Sequence, residues 1–139
     1  MKLYTIQMSQ WRKAQALGIP FLDTTVKSGD PTFAPSWEIV TAYKQGRSLH
    51  PGLSPEESYT INYKELMRQS LRQNRSRWLE VIQMDQVAIA CYCGYYDQSQ
   101  PAHIRFCHRH ILCELLSLLC AQQGVAFEYA GEIGHSCTH

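Results

Sequence analysis

The sequence lacks a long hydrophobic run and an excess of charge of either sign. No stretch reaches the roughly 18 consecutive apolar residues that a membrane-spanning helix needs. The opening MKLYTIQMSQWRK also has polar residues where a signal peptide would be apolar. The 13 basic and 12 acidic residues leave a formal net charge of +1, which does not favour nucleic acid as the main partner. We therefore expect a cytoplasmic protein without membrane association, whose cysteines stay reduced.

Several motifs of phosphate chemistry are also missing. The chain has no Walker loop, no G-x-G-x-x-G and no protein-kinase signature. The C-x5-R loop of cysteine phosphatases is absent, because Cys113 stands six positions after Cys107 and Ser99 stands six positions after Cys93. With 139 residues, 45% of them hydrophobic, the chain is too short for a (β/α)₈ barrel and too apolar for a disordered protein. A single domain over residues 1–139 is expected, with residues 134–139 as a flexible tail.

What is present is an alternation of segments typical of strands and helices. The run VAIACYC is continuous and apolar, which is typical of a strand buried on both faces of a parallel sheet. Ser54, Pro55 and Glu57 predict a helix start, with an N-cap, a proline in the first turn and a capping box. That helix is expected to continue, with or without a break, to Ile82. The predicted strands span 2–8, 19–26, 87–93 and 125–129, and the predicted helices span 10–17, 36–43, 54–82 and 107–123.

The resulting order βαβααβαβ predicts one α/β domain with a mainly parallel sheet. Ligands of such sheets bind beyond the carboxyl ends of the strands. There the start of the last helix offers unpaired N–H groups, and its arginine adds a two-pronged donor for a phosphate or carboxylate. The residues expected to meet at this edge are Asp23, Lys27, Cys91, Cys93, Cys107, His108 and Arg109.

The strand that contains Cys91, followed by Cys107-His108-Arg109 at the start of an apolar helix, resembles the DUF488 family. The ACYC and FCHR runs and the closing segment 129–132 are most similar to the short branch of that family found in phages and bacteria. The resemblance extends from the first strand to about Ile133. It implies a Rossmann-like α/β fold and a site at the CHR element. It implies little about mechanism, because the activity of the family is not generally established.

The sequence departs from the family pattern on the second strand. Family members place a basic residue two positions after an early aspartate, whereas this chain reads Asp23-Thr24-Thr25. Lys27 would replace the missing charge if the strand continued that far.

Six cysteines and six histidines also raise the question of a metal. Cys91, Cys93, Cys107 and the adjacent histidines offer enough ligands for zinc, but their spacing matches no common zinc module. We therefore expect no cofactor, with zinc as the less favoured alternative. A second cluster in the predicted tail consists of His135, Cys137 and His139.

Thiol catalysis is a further alternative. Cys107 at a helix start, beside His108 and Arg109, has surroundings that favour a thiolate nucleophile. Asp23 and Glu132 are the candidate acid–base partners. In the competing interpretation, Cys107 packs the helix and Arg109 holds the loop.

These residues together predict a site for a phosphate-bearing ligand, either a nucleotide, a nucleotide derivative or a nucleic-acid end. Arg109 and the helix start would hold the anion, and Asp23 would accept a ribose or base hydrogen bond. The alternative is a phage or bacterial protein that sequesters a nucleotide signal without acting on it.

The long helix also carries a stripe of arginines, formed by Arg68, Arg72 and Arg75. We interpret this stripe as a solvated face, and contact with phosphates is the less favoured alternative. Aromatic residues available to stack a base are Phe33, Trp37, Tyr43, Tyr59 and Tyr63, although most of them are expected to build the core instead.

Overall fold

The computed structural model describes residues 1–93 and 106–134. Four strands form one sheet in the order β2-β3-β1-β4, and every neighbouring pair is parallel. The predicted α/β class with a parallel, Rossmann-like sheet is therefore confirmed. The elements are β1 Lys2–Gln7, α1 Trp11–Ala16, β2 Phe21–Asp23, α2 Trp37–Lys44, α3 Pro55–Gln73, α4 Arg75–Ile82, β3 Gln86–Cys91, α5 His108–Gln123 and β4 Glu128–Ile133.

The two faces of the sheet are covered unequally. Along β3, Val87 and Ile89 face the larger core, to which α2, α3, α4 and α5 all contribute. Ala88 and Ala90 alternate with them and face a smaller core, which contains Ala14 of α1. Both faces of β3 are buried, as its continuous apolar run predicts. Cys91 continues the alternation of Val87 and Ile89, so its thiol lies on the larger-core face.

The long predicted helix is divided at Asn74 into α3 and α4. It begins as the sequence predicts: Ser54 accepts a hydrogen bond from the Glu57 N–H, and the Glu57 carboxylate accepts one from the Ser54 N–H. Asn74 is exposed, and the chain leaves the helical conformation there.

Strand β2 is shorter than predicted, because its last carboxylate starts a turn. Asp23 accepts hydrogen bonds from the Thr25 N–H at 2.8 Å and from the Ser28 hydroxyl at 2.7 Å, an arrangement that competes with strand extension. Lys27 therefore lies in an exposed turn. Lys27 was expected to replace the missing charge only if the strand continued that far, and β2 ends at Asp23.

Strand β4 begins at Glu128, whereas the sequence predicted a strand over 125–129. Val125 and Phe127 precede the strand and pack against the larger core. As the outermost strand, β4 pairs only with β1, and its sequence EYAGEI contains two acidic residues and a glycine. Hydrophobic content was therefore a poor guide to its position.

A bulge in β4 determines which side chains face α5. Leu3 pairs with Tyr129, but the next residue of β1, Tyr4, pairs with Gly131, so Ala130 has no partner across the ladder. Gly131 has φ 108°, a conformation that side chains with a Cβ rarely adopt. The extra residue puts Glu132 on the same sheet face as Tyr129, although they are three positions apart.

Two predicted features lie outside the described residues. They are the connection between the third predicted strand and the last predicted helix, over residues 94–105, and the cluster of His135, Cys137 and His139. Within the described part of the chain, no helix combines the length and apolar character needed to cross a bilayer.

Candidate functional site

A cavity of about 140 Å³ opens at the carboxyl edge of the sheet, beside the end of β3 and the start of α5. Its sheet side is formed by Cys91, Cys93, Cys107 and His108. The convergence of these four residues agrees with the position expected for a ligand site in an open α/β sheet.

The opposite wall of the cavity is aromatic. The ring of Phe106 lies 5.1 Å from the ring of Tyr43 and 5.2 Å from the ring of Tyr59, between centroids. Tyr43 and Tyr59 also contact each other edge to face at 5.7 Å. Lys44, the last residue of α2, lines the cavity beside Tyr43. Among residues 1–93 and 106–134, no acidic side chain forms an ion pair with Lys44.

Three thiols form a cluster on the sheet side. The Sγ atoms of Cys91, Cys93 and Cys107 all lie within 4.8 Å of one another, and the Cys91 and Cys107 sulfurs are 2.7 Å apart. The cysteines of the described residues are thiols, not disulfides. The cluster forms because β3 ends at Cys91 and α5 begins directly after Cys107.

The pKa values of Cys91 and Cys107 are both raised, so these two thiols are protonated at neutral pH. The hydrogen bond from Cys107 and the charge of Arg109 lower the pKa of Cys91, but the Cys93 thiol and burial outweigh them and raise it to about 11. Burial is the main cause of the raised pKa of Cys107, and its hydrogen bonds with the other two thiols add to the effect. Cys91 also accepts a hydrogen bond from Arg109 Nη1 at 2.7 Å.

Arg109 is a fully buried residue that links three elements. Its Nε and Nη2 donate to the two carboxylate oxygens of Glu132 at 3.3 and 3.1 Å. Its Nη1 donates to the Cys91 sulfur at 2.7 Å and to the Cys93 carbonyl at 3.0 Å. Arg109 therefore fixes the end of β3 to α5 and β4, and its charge is balanced by Glu132.

His108 is held in one tautomer by Thr24. The Thr24 hydroxyl donates to the Ala90 carbonyl at 2.7 Å, so both Thr24 oxygens near the ring act as acceptors. His108 Nε2 lies 2.9 Å from the Thr24 carbonyl oxygen and 3.0 Å from Oγ1, which requires the proton on Nε2. Burial lowers the pKa of His108 to about 4, so the ring is neutral and Nδ1 carries a lone pair, 3.9 Å from the Cys107 sulfur.

The two predicted acid–base carboxylates serve structural hydrogen bonds. Asp23 is bound within its own turn, and Glu132 has a side chain with no exposed surface. Neither carboxylate is among the described residues that line the cavity, nor are Lys27 and Arg109. Four of the predicted residues therefore line the cavity: Cys91, Cys93, Cys107 and His108. The others lie outside its lining.

Sequence reasoning missed two features of the site. Lys44 was not considered, although its position one residue after Tyr43 at the end of a helix was a usable signal. The role of Thr24 as the partner of His108 depends on a contact across 84 positions, for which the sequence has no local pattern. The three arginines of the stripe are all exposed, as predicted, and none of them lines the cavity.

Comparison of the chain with protein-family models, with curated proteins and with solved structures finds no match. The resemblance to the DUF488 family therefore stays a prediction.

Proposed function

We propose that this chain is a DUF488-like protein of phage or bacterial type that binds a small, phosphate-bearing, nucleotide-like ligand at the carboxyl edge of its sheet. The observation that supports the proposal is the composition of the cavity. It combines aromatic rings, a lysine without an ion-pair partner in the described residues, and the start of a long helix.

The aromatic wall suits a planar ring system. Tyr43, Tyr59 and Phe106 form one contiguous group of rings, and stacking on such rings is tolerant of base identity. The cavity, about 140 Å³, is smaller than the roughly 300–1,000 Å³ typical of sites for drug-sized ligands. It accommodates one ring system, with the remainder of the ligand along the rim.

The phosphate is assigned to Lys44 and to the start of α5. Cys107 occupies the N-cap of this 16-residue helix, so the positive end of the helix dipole lies at this edge of the sheet and favours an anion there. Arg109, predicted to hold the anion itself, is proposed to act indirectly because Glu132 occupies two of its donors.

Sequestration of the ligand is favoured over covalent catalysis, because the thiols of Cys91 and Cys107 are protonated at neutral pH. One observation supports the enzymatic alternative, a hydrolase or transferase: the His108 Nδ1 lone pair lies 3.9 Å from the Cys107 sulfur and is available to take its proton. Cys107→Ala would abolish turnover in the enzyme while leaving binding nearly unchanged. The proposed compartment is the cytoplasm, where the thiols stay reduced.

Calorimetric titration with a panel of nucleoside mono-, di- and triphosphates tests the proposal. Lys44→Gln is expected to weaken binding about tenfold, since a charge-assisted hydrogen bond contributes roughly 1.5 kcal/mol. Lys27→Gln is the matched control, because Lys27 is exposed and lies outside the cavity lining. Equal affinities of the two variants, or no binding by the wild type, would contradict the proposal. Steep dependence of affinity on salt for oligonucleotides would instead indicate a nucleic-acid end as the ligand.

A further inference from the structure

The thiol cluster has the composition and spacing of a metal site. Three sulfur ligands on two different segments lie within 4.8 Å of one another. Thiolates on tetrahedral Zn²⁺ lie about 2.3 Å from the metal, hence about 3.8 Å apart. Insertion of the ion therefore requires the Cys91 and Cys107 sulfurs, now 2.7 Å apart, to separate by about 1 Å, a movement within the range of side-chain rotation.

A nitrogen ligand lies next to the cluster in the correct tautomer. His108 donates Nε2–H to the Thr24 carbonyl, and zinc-bound histidines almost always donate their second ring N–H to a carbonyl or carboxylate. This leaves Nδ1 as the coordinating atom. Its separation of 3.9 Å from the Cys107 sulfur is close to the roughly 3.6 Å expected between S and N ligands of one tetrahedral zinc ion. The group of ligand atoms that all lie within 4.8 Å of one another contains only the three sulfurs, so His108 has to move toward Cys91 and Cys93 when the metal binds.

The surrounding charges also suit a thiolate-bound dication. Three thiolates around Zn²⁺ leave one net negative charge, and the guanidinium of Arg109, although paired with Glu132, already donates a hydrogen bond to the Cys91 sulfur at 2.7 Å. Hydrogen bonds of this kind stabilise metal-bound thiolates. The three thiols release three protons to solvent when the metal binds, so affinity falls as pH is lowered.

We propose that Cys91, Cys93, Cys107 and His108 Nδ1 form a zinc site that joins the end of β3 to the start of α5. The site is independent of the proposed nucleotide-like ligand, although its residues also line the cavity. Because all four positions are occupied by protein, the metal is assigned a structural role.

Titration of the reduced, metal-free full chain with Co²⁺ tests the zinc site without any nucleotide. The expected spectrum has a thiolate-to-cobalt charge-transfer band in the near ultraviolet and the intense visible bands of tetrahedral Co²⁺, and one equivalent of Zn²⁺ abolishes both. Cys93→Ser is expected to weaken Co²⁺ binding at least tenfold. Cys113→Ser is the matched control, because both cysteines are half-buried and Cys113 lies on α5 away from the cluster.

Two variants test the nitrogen ligand. His108→Gln is expected to weaken Co²⁺ binding at least tenfold and to shift the visible bands, whereas His50→Gln leaves both unchanged. The proposal is overturned by the absence of a charge-transfer band, by a band that persists at full affinity in Cys93→Ser, or by equal affinities of the His108 and His50 variants.

Circular dichroism of each metal-free variant identifies any that fails to fold. If a variant does not fold, its titration is replaced by alkylation of the wild-type protein with and without Zn²⁺. Protection of three cysteines by Zn²⁺ supports the site, and unchanged alkylation rates overturn it. Nucleotide binding is measured separately, with metal-free and with zinc-loaded protein. Failure of the zinc site and failure of nucleotide binding are therefore distinguished.

Discussion

Arg109 and Glu132 form an ion pair in which neither side chain has exposed surface, with Nη2 and Oε2 3.1 Å apart. The pair connects the first turn of α5 to the outermost strand, and the same guanidinium reaches the Cys91 sulfur. The geometry of the thiol cluster therefore depends on a carboxylate that follows the bulge in β4.

Removal of one partner of this pair should be strongly destabilising. Glu132→Gln leaves the Arg109 charge buried without its counter-ion, which typically costs about 3–5 kcal/mol. Urea unfolding measures the loss in the free energy of unfolding. Glu114→Gln is the control, because Glu114 pairs with Lys64 at the surface, where such pairs contribute about 0–1 kcal/mol. Similar losses in the two variants would contradict the assigned role of the buried pair.

The stability of the metal-free protein should fall as pH is lowered from 7 to 5. The folded-state pKa of His108 is lowered to about 4, mainly by burial, whereas an unfolded histidine takes up a proton near pH 6.5. The unfolded state therefore binds more protons in this window, which costs about 2 kcal/mol of folding free energy per such histidine. His110, whose pKa burial also lowers to about 4, contributes with the same sign.

Urea unfolding of wild type and His108→Asn at both pH values checks this prediction. The variant should lose about half of the pH dependence and retain the part due to His110. An unchanged pH dependence in the variant would show that His108 is protonated in the folded protein.

Gly131→Ala should destabilise the β4 bulge. Apart from its two chain neighbours, no heavy atom of residues 1–93 and 106–134 lies within 4 Å of a Cβ built on Gly131. The cost therefore arises from the φ of 108° and is about 1–2 kcal/mol. Thermal unfolding measures it, with the neighbouring Ala130→Ser as the control. If Gly131→Ala is as stable as the control, the bulge does not depend on a positive φ.

Local patterns were sufficient to predict the elements that are stabilised by local interactions. The Ser54 capping box begins α3 as predicted, and the apolar run that ends at Cys91 forms a strand buried on both faces. Where a side chain redirects the chain, prediction failed: the turn formed by Asp23 ends β2 early and moves Lys27 away from the sheet.

Convergence at the site was predictable from topology, but the partners within it were not. Parallel strands place Cys91 and the start of α5 at one edge, as predicted from the element order. The pairing of Arg109 with Glu132 depends on the bulge at Ala130, which shifts the alternation of β4 by one residue. Periodicity in the sequence does not encode such a shift, so Arg109 was interpreted as a free anion donor.

The central claim is that the cavity at the carboxyl edge binds a phosphate-bearing, nucleotide-like ligand. Native mass spectrometry of the full chain with a nucleotide panel tests it most directly in three forms: wild type, Val40→Trp and Leu118→Trp. Val40 lines this cavity, whereas Leu118 lines a separate groove between α3, α4 and α5. The account predicts one stoichiometric adduct on the wild type and on Leu118→Trp, and its loss in Val40→Trp. No adduct on the wild type, or an adduct that survives in Val40→Trp, would contradict it.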